Sequence, residues 1–179
     1  MKSVLVLSAS LRKDSNSEIL ARAFARGAKE KGHRVEVISL REKELRFCTG
    51  CMACLQAHRC AIHDDAGAIV EKMGAADVIC FATPVYYYGM AGQMKTLLDR
   101  ANPLFSSEYA FRDIYLLTAS AEREDSAADG AVRGLEGWIS CFERARLAGV
   151  VRGGGADAPG EMARLTDKLD QACRMGRQV

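Results

Sequence analysis

The sequence predicts an α/β chain: a doubly wound, five-stranded parallel sheet with helices on both faces. Three observations carry this. Five short apolar runs recur along the chain, stretches of helical spacing separate them, and no internal repeat or long linker interrupts the alternation. The runs are Val4 to Leu7, Arg34 to Leu40, Asp77 to Ala82, Ile114 to Ala119 and Leu147 to Val151. A short apolar run alone does not separate strand from buried helix; the intervening material does. Ser17 to Lys31 places Ile19, Leu20, Ala23 and Phe24 on one face, and Asp64 to Gly74 carries Ile69, Val70 and Met73. Met90 to Arg100 carries Met94, Leu97 and Leu98; Asp129 to Arg146 carries Leu135, Trp138, Ile139 and Phe142; Ala163 to Met175 carries Leu165, Leu169 and Cys173. Right-handed crossovers then place a binding crevice beyond the carboxyl ends of the strands, where their order reverses. A single domain over 1–179 is expected, with one long irregular connection, 41–64.

Composition narrows the function classes. Of the 179 residues 49% are apolar and 27% charged, and 25 basic residues nearly cancel 23 acidic ones, for a net charge of +2. A nucleic-acid binder would carry a stronger basic excess, and a membrane-surface protein a basic amphipathic face. The longest weakly polar stretch, Val78 to Gly92, contains Pro84 and falls short of the roughly 18 apolar residues of a span. Met1-Lys2-Ser3 and the brief run after it read as a first strand, since a secretory signal needs at least about 7 apolar residues and a cleavage site; a cytoplasmic location is expected. Seven cysteines are present, four of them at 48, 51, 54 and 60. In a cytosolic chain such crowding points to metal or redox chemistry before structural disulfides, whereas Cys80, Cys141 and Cys173 read as ordinary core or surface residues.

Two loops carry the first functional signal. After the first strand comes Ser8-Ala9-Ser10-Leu11-Arg12-Lys13-Asp14-Ser15-Asn16-Ser17 and then a helix. Hydroxyls, Arg12, Lys13 and the Asn16 amide suit an anion, and the helix adds free N–H groups and its positive end. The pattern lacks Gly-x-Gly-x-x-Gly and Gly-Lys-Ser/Thr, so a single phosphate fits better than a dinucleotide or a nucleoside triphosphate. An ordinary polar loop with Ser and Asn helix caps fits the same residues. After the third strand comes Thr83-Pro84-Val85-Tyr86-Tyr87-Tyr88-Gly89-Met90. Three consecutive tyrosines can flank a flat aromatic ligand or form an aromatic surface between subunits, and the two roles are compatible.

Together these loops resemble the flavodoxin-like flavoproteins, in particular the NAD(P)H-dependent FMN reductase and iron–sulfur flavoprotein branch. Closest are the serine-rich loop and Thr-Pro-Val-Tyr-Tyr-Tyr-Gly-Met-Ala-Gly-Gln-Met-Lys-Thr-Leu-Leu-Asp-Arg. The resemblance implies strand order 2-1-3-4-5 and non-covalent FMN. Ser8, Ser10, Arg12, Asn16 and Ser17 would hold its phosphate. Pro84, Val85, Tyr86, Tyr87, Tyr88 and Gly89 would lie along its ring, and the loop with Ser120 would close the other side. Leu11 stands where the family has proline, and Ser15 where it has glycine. Lys95 reads as a solvated helix residue.

Cys48, Cys51, Cys54 and Cys60 form a compact C-x2-C-x2-C-x5-C, a thiolate set that suits an iron–sulfur cluster better than zinc, whose sites usually pair two distant knuckles. By resemblance to iron–sulfur flavoproteins these four would bind one [4Fe–4S] cluster. Similar reductases carry such a run before an Asp-Asp pair, here Asp64-Asp65, as free thiols or a redox pair without a cluster. Asp64 and Asp65 read as helix-start residues, and His58 and His63 have no assigned role. Since a flavin carries its own chemistry, no catalytic triad is expected. The implied function takes electrons from NAD(P)H to a ferredoxin-like protein, a quinone or another small electrophile, in a homodimer or homotetramer. A thiol-based redox sensor and a zinc-stapled structural module are the competing classes.

Overall fold

The computed structural model describes residues 1–179. Strand β1 (Ser3–Ser8) leads into α1 (Asn16–Glu30), β2 (Arg34–Ser39), a one-turn α2 (Cys54–Ala57) and α3 (Asp65–Ala75). Then follow β3 (Val78–Tyr86), a two-residue β4 (Gly89–Met90), α4 (Gly92–Arg100), β5 (Asp113–Ala119), α5 (Asp129–Ile139), β6 (Arg146–Gly153) and α6 (Thr166–Arg177). The parallel strands lie in the order β2-β1-β3-β5-β6, which is the expected order of five; β4, paired antiparallel with β3, is an unexpected sixth strand. No helix is long and apolar enough to cross a membrane.

Side-chain alternation builds two cores, one on each face of the sheet. Leu5, Leu7, Ile79, Phe81, Ile114 and Leu116 point to one side, where Ile69 and Met73 of α3, Met94 and Leu97 of α4 and Leu135 of α5 cover them. Val4, Val6, Val78, Cys80, Tyr115 and Leu117 point to the other, against Leu20 and Phe24 of α1 and Ala172 of α6. Cys80 and Cys173 are buried there as ordinary core residues.

Two boundaries differ from expectation by the most residues. The helix predicted over 129–146 ends at Ile139: the N–H groups of Cys141 and Phe142 bond only three residues back, to the Trp138 and Ile139 carbonyls, and the chain turns into β6 at Arg146. Phe142 still packs on Phe111 and Trp138, which is why it kept helical phase in the sequence. Strand β3 runs on to Tyr86 rather than stopping at Ala82. Its pairing with β1 ends at Ala82, so Pro84 lies where β3 has become an edge on that side, a setting that tolerates a residue without an N–H.

Helices α1 and α6 approach through glycine. A Cβ at Gly27 would lie 2.0 Å from the Cys173 carbonyl oxygen, and one at Gly176 2.1 Å from that of Phe24. Both neighbours are backbone, so the helices must separate to admit a methyl group. Gly27→Ala is therefore expected to lower stability by about 1–3 kcal/mol, read as a fall in the urea midpoint at unchanged slope.

Candidate functional site

The carboxyl ends of β1, β3, β5 and β6 open into one cavity of about 140 Å³. Its walls are Ser10, Arg12, Ser15, Asn16 and Ser17 from the first loop, Pro84, Val85 and Tyr86 from the end of β3, Ala119, Ser120 and Ala121 after β5, and Ala156, Asp157 and Pro159 after β6. Eight of the predicted cofactor-binding residues thus meet in one place: Ser10, Arg12, Asn16, Ser17, Pro84, Val85, Tyr86 and Ser120.

The first loop is shaped for an anion. Ser15 is the N-cap of α1, with extended backbone and a hydroxyl that accepts from Glu18 N–H. The left-handed conformation falls to Asp14 (φ 53°), so serine at 15 needs no glycine-like backbone. The hydroxyls of Ser8 and Ser17 are buried and without a protein partner, and the main-chain N–H groups of Asn16 and Ser17 donate to no protein acceptor. Buried polar atoms are satisfied in nearly every native structure, so partnerless ones here call for a ligand or water. Asn16 departs from expectation. Its amide donates to the carbonyls of Ala156 (3.1 Å) and Ala158 (2.9 Å), and its Oδ1 accepts from Met162 N–H (3.0 Å). The side chain is a strut to the segment after β6, and only its main-chain N–H remains for a ligand. Arg12 reaches the same segment, donating to the Asp157 carbonyl at 3.2 Å.

The tyrosines divide. Tyr86 lines the cavity, while Tyr87 and Tyr88 form the two-residue tip of the β3–β4 hairpin, fully and 62% exposed, and Gly89 pairs with Tyr86 in the ladder. Tyr87, Tyr88 and Gly89 therefore stand outside the cavity wall. The Thr83 hydroxyl accepts from Ala91 N–H (2.9 Å) and so ties the hairpin to the start of α4. Lys95 pairs with Asp99 on the exposed face of that helix, as expected of a solvated residue.

A second cavity, of about 310 Å³, has Cys48, Cys51, Cys54 and Cys60 among its lining residues, with Arg100 and Asn102. Three of the four sulfurs receive a hydrogen bond. Gly50 N–H reaches Cys48 Sγ at 3.5 Å, Asn102 Nδ2 reaches Cys54 Sγ at 3.1 Å and Arg100 Nε reaches Cys60 Sγ at 3.3 Å. At Cys51 the Ala53 N–H and then the Thr49 hydroxyl hold the thiol below its ordinary range.

The neck of this segment is closed by a pair the sequence did not disclose. The Arg100 and Asp64 side chains are both fully buried and meet in a bidentate bond, at 2.6 and 2.9 Å. All five guanidinium N–H groups are used, the others going to the Arg46 carbonyl, the Ile62 carbonyl and Cys60 Sγ. Asp64 is the N-cap of α3, as expected, but it also accepts from Arg46 N–H, while Asp65 accepts from Glu44 N–H. His58 sits at the rim against the hydroxyls of Ser106 and Ser107. Arg100 could have been suspected only as a charge in an otherwise helical, half-apolar stretch. For Ala156 and Asp157 the Gly153-Gly154-Gly155 run after the last strand was the available signal.

Burial works against ionisation of Asp64, yet the bonds from Arg100, Arg46 and Ala66 outweigh it and hold the carboxyl below its usual range. Its contribution to stability is therefore complete above the ordinary value of about 3.9 and is lost as the pH falls below it. Asp64→Asn, which strands a buried guanidinium, is expected to cost about 3–5 kcal/mol at pH 7 and to flatten the dependence of the urea midpoint on pH below 4.

A doubly wound parallel sheet in this order, with a cavity at the carboxyl ends of its strands, defines a flavodoxin-like fold. The chain belongs to the NADPH-dependent FMN reductase family, whose profile matches residues 2–151. An iron-sulfur flavoprotein of Methanocaldococcus jannaschii is 41% identical over 101 residues, 56% of this chain and 52% of that protein. The chain spans about half the length of the iron-sulfur flavoproteins it matches. Among solved structures, the NAD(P)H:quinone oxidoreductase from Methanothermobacter marburgensis aligns with a TM-score of 0.76 at 19% identity, over 98% of this chain and 94% of that one. An FMN-dependent NADH-azoreductase from Bacillus anthracis, solved with FMN, aligns with a TM-score of 0.70 at 15% identity over 99% of each. At these identities the two structures establish the fold.

Proposed function

We propose that the chain is an FMN-dependent oxidoreductase that takes electrons from NAD(P)H and passes them to a quinone, another small electrophile or a ferredoxin-like protein. The observation that carries this reading is the partnerless, buried Ser17 hydroxyl beside the free N–H groups at the start of α1. Donors so placed fit a phosphate, and they share one cavity with Pro84, Val85, Tyr86 and Ser120, which would lie along the ring. FMN bound there supplies hydride acceptance and electron delivery. The chain supplies the rest. Ser8, Ser10, Arg12, Ser17 and the Asn16 N–H hold the phosphate; Pro84, Val85 and Ala119 exclude water along the ring. Thr83 and the hairpin fix the position of Tyr86. Exposed Tyr87 and Tyr88 support a homodimer or homotetramer, an aromatic surface being favoured at interfaces.

Removing one donor to a charged group costs about 1.5–3 kcal/mol, so Ser17→Ala should weaken FMN binding by about 10- to 100-fold. Riboflavin, which lacks the phosphate, should bind wild type and variant alike in a fluorescence-quenching titration. Equal losses for both flavins would remove the phosphate assignment.

A specific observation also favours a [4Fe–4S] cluster on Cys48, Cys51, Cys54 and Cys60: four cysteines line one cavity, and three of their sulfurs accept a hydrogen bond. No three Cys, His, Asp or Glu side chains converge as a single-ion site. A cluster of four irons takes one thiolate at each corner instead, and there it would supply one-electron transfer. Anaerobic reconstitution is expected to load about four irons and four sulfides per chain, falling sharply in Cys54→Ser. One zinc per chain would favour the structural module, and thiol oxidation by mild peroxide without NAD(P)H oxidation the sensor.

A further inference from the structure

The segment that leaves α4 delivers two nitrogen donors to two different sulfurs. Arg100 ends the helix and Asn102 follows it. Arg100 Nε donates to Cys60 Sγ at 3.3 Å and Asn102 Nδ2 to Cys54 Sγ at 3.1 Å. The two differ in what else they do. Arg100 also binds the Arg46 and Ile62 carbonyls and Asp64, so it joins the chain entering the cysteine segment to the chain leaving it. Asn102 has no other side-chain bond than that to Cys54, so its amide serves the sulfur alone. A buried guanidinium that neutralises a carboxylate gains nothing further in fold stability from a thiol, which is a weak acceptor. The bond gains strength when the sulfur is a thiolate, since hydrogen bonds to ionised groups are roughly twice as strong.

We propose that Arg100 and Asn102 are positioning residues for the cysteine centre, and that their N–H bonds to Cys60 and Cys54 raise its reduction potential. The inference rests on the cluster reading above. One-electron reduction adds one negative charge to the centre, part of it on the thiolate sulfurs. Donors aimed at those sulfurs stabilise the reduced form more than the oxidised one. Arg100 therefore sets both the shape of the segment and the potential, whereas Asn102 sets the potential with little part in the shape.

The test compares wild type, Arg100→Lys and Asn102→Ala, each reconstituted anaerobically with iron and sulfide and titrated with dithionite while the centre is followed by electron paramagnetic resonance. FMN content is measured on the same samples. Asn102→Ala is expected to load iron and FMN as wild type does and to show a more negative midpoint potential. Arg100→Lys keeps the charge but cannot serve five acceptors from one ammonium group; it is expected to retain FMN and to lose most of its iron, or to load with a potential shifted further than that of Asn102→Ala. A wild-type chain that loads iron while Asn102→Ala keeps the wild-type potential overturns the inference and leaves the cluster reading standing. A wild-type chain that takes up no iron removes the cluster reading and the inference with it. Should Arg100→Lys fail to fold, Asn102→Ala decides.

Discussion

Central strands buried on both faces leave polar side chains only the strand ends. In β1, β3 and β5 successive residues feed opposite cores, Leu5 and Leu7 one and Val4 and Val6 the other, so no position along these strands is free for a functional group. At the carboxyl edge the constraint lifts. Ser8 is the last residue of β1, and Ser10, Ser17, Ser120 and the end of β3 gather just beyond. The parallel arrangement brings four of these ends to one side, and the helix that must follow β1 points its N-terminus at the same spot. The proposed anion site follows from the topology as much as from the residues.

The cysteine segment needed a different solution, because it lies outside the sheet and has little apolar surface of its own. Phe47, Met52 and Leu55 are exposed, and only Cys54 of the four cysteines is buried. What closes the segment is polar: Asp64 and Asp65 take main-chain N–H groups from Arg46 and Glu44, and the buried guanidinium ties Arg46 to Ile62. A buried ion pair is costly to desolvate and is often no better for stability than an apolar pair. Its value here is directional, since five N–H vectors fix five acceptors in a plane. Helix α4 then has two ends with two tasks. Its start is tied by Thr83 to the hairpin that carries Tyr86, and its end carries Arg100 to the sulfurs. The nine-residue helix α4 is roughly 13 Å long and so spans the distance between these two ties.

Apolar runs and helical patterns made the sheet legible, because burial on both faces is written into the central strands β1, β3 and β5. The loop after β1 stood out through its composition, and its Ser10, Arg12 and Ser17 line the cavity. The Asn16 side chain is taken up elsewhere because an amide that suits a phosphate equally suits three backbone groups, and only the proximity of residues 156–162, far along the chain, decides between them. Arg100 was hidden for the same reason. Its partners at 46, 60, 62 and 64 are remote in sequence, and a basic residue at the end of a helix ordinarily reads as a favourable charge near the dipole. Local pattern reports what a residue can bond; it does not report what the fold brings to it.

The hairpin tip shows where local preference was overruled altogether. A two-residue connection whose central residues both have positive φ is the turn that normally takes Asn-Gly, yet it is made here by Tyr87 (φ 48°) and Tyr88 (φ 63°). Left-handed backbone costs a residue with a Cβ roughly 1–2 kcal/mol, so the tip would relax if nothing held it. Three contacts hold it. The β3–β4 ladder pairs Val85 with Met90 and Tyr86 with Gly89, Thr83 anchors Ala91, and α5 presses Gly130 against the Tyr88 carbonyl, where a Cβ would come within 2.3 Å. Two of those contacts flank Tyr86, the one tyrosine in the cavity wall. The strain at 87 and 88 is thus the consequence of a tight reversal that starts at Tyr86 and must clear α5, and the same reversal keeps the Tyr86 backbone from moving away from the crevice.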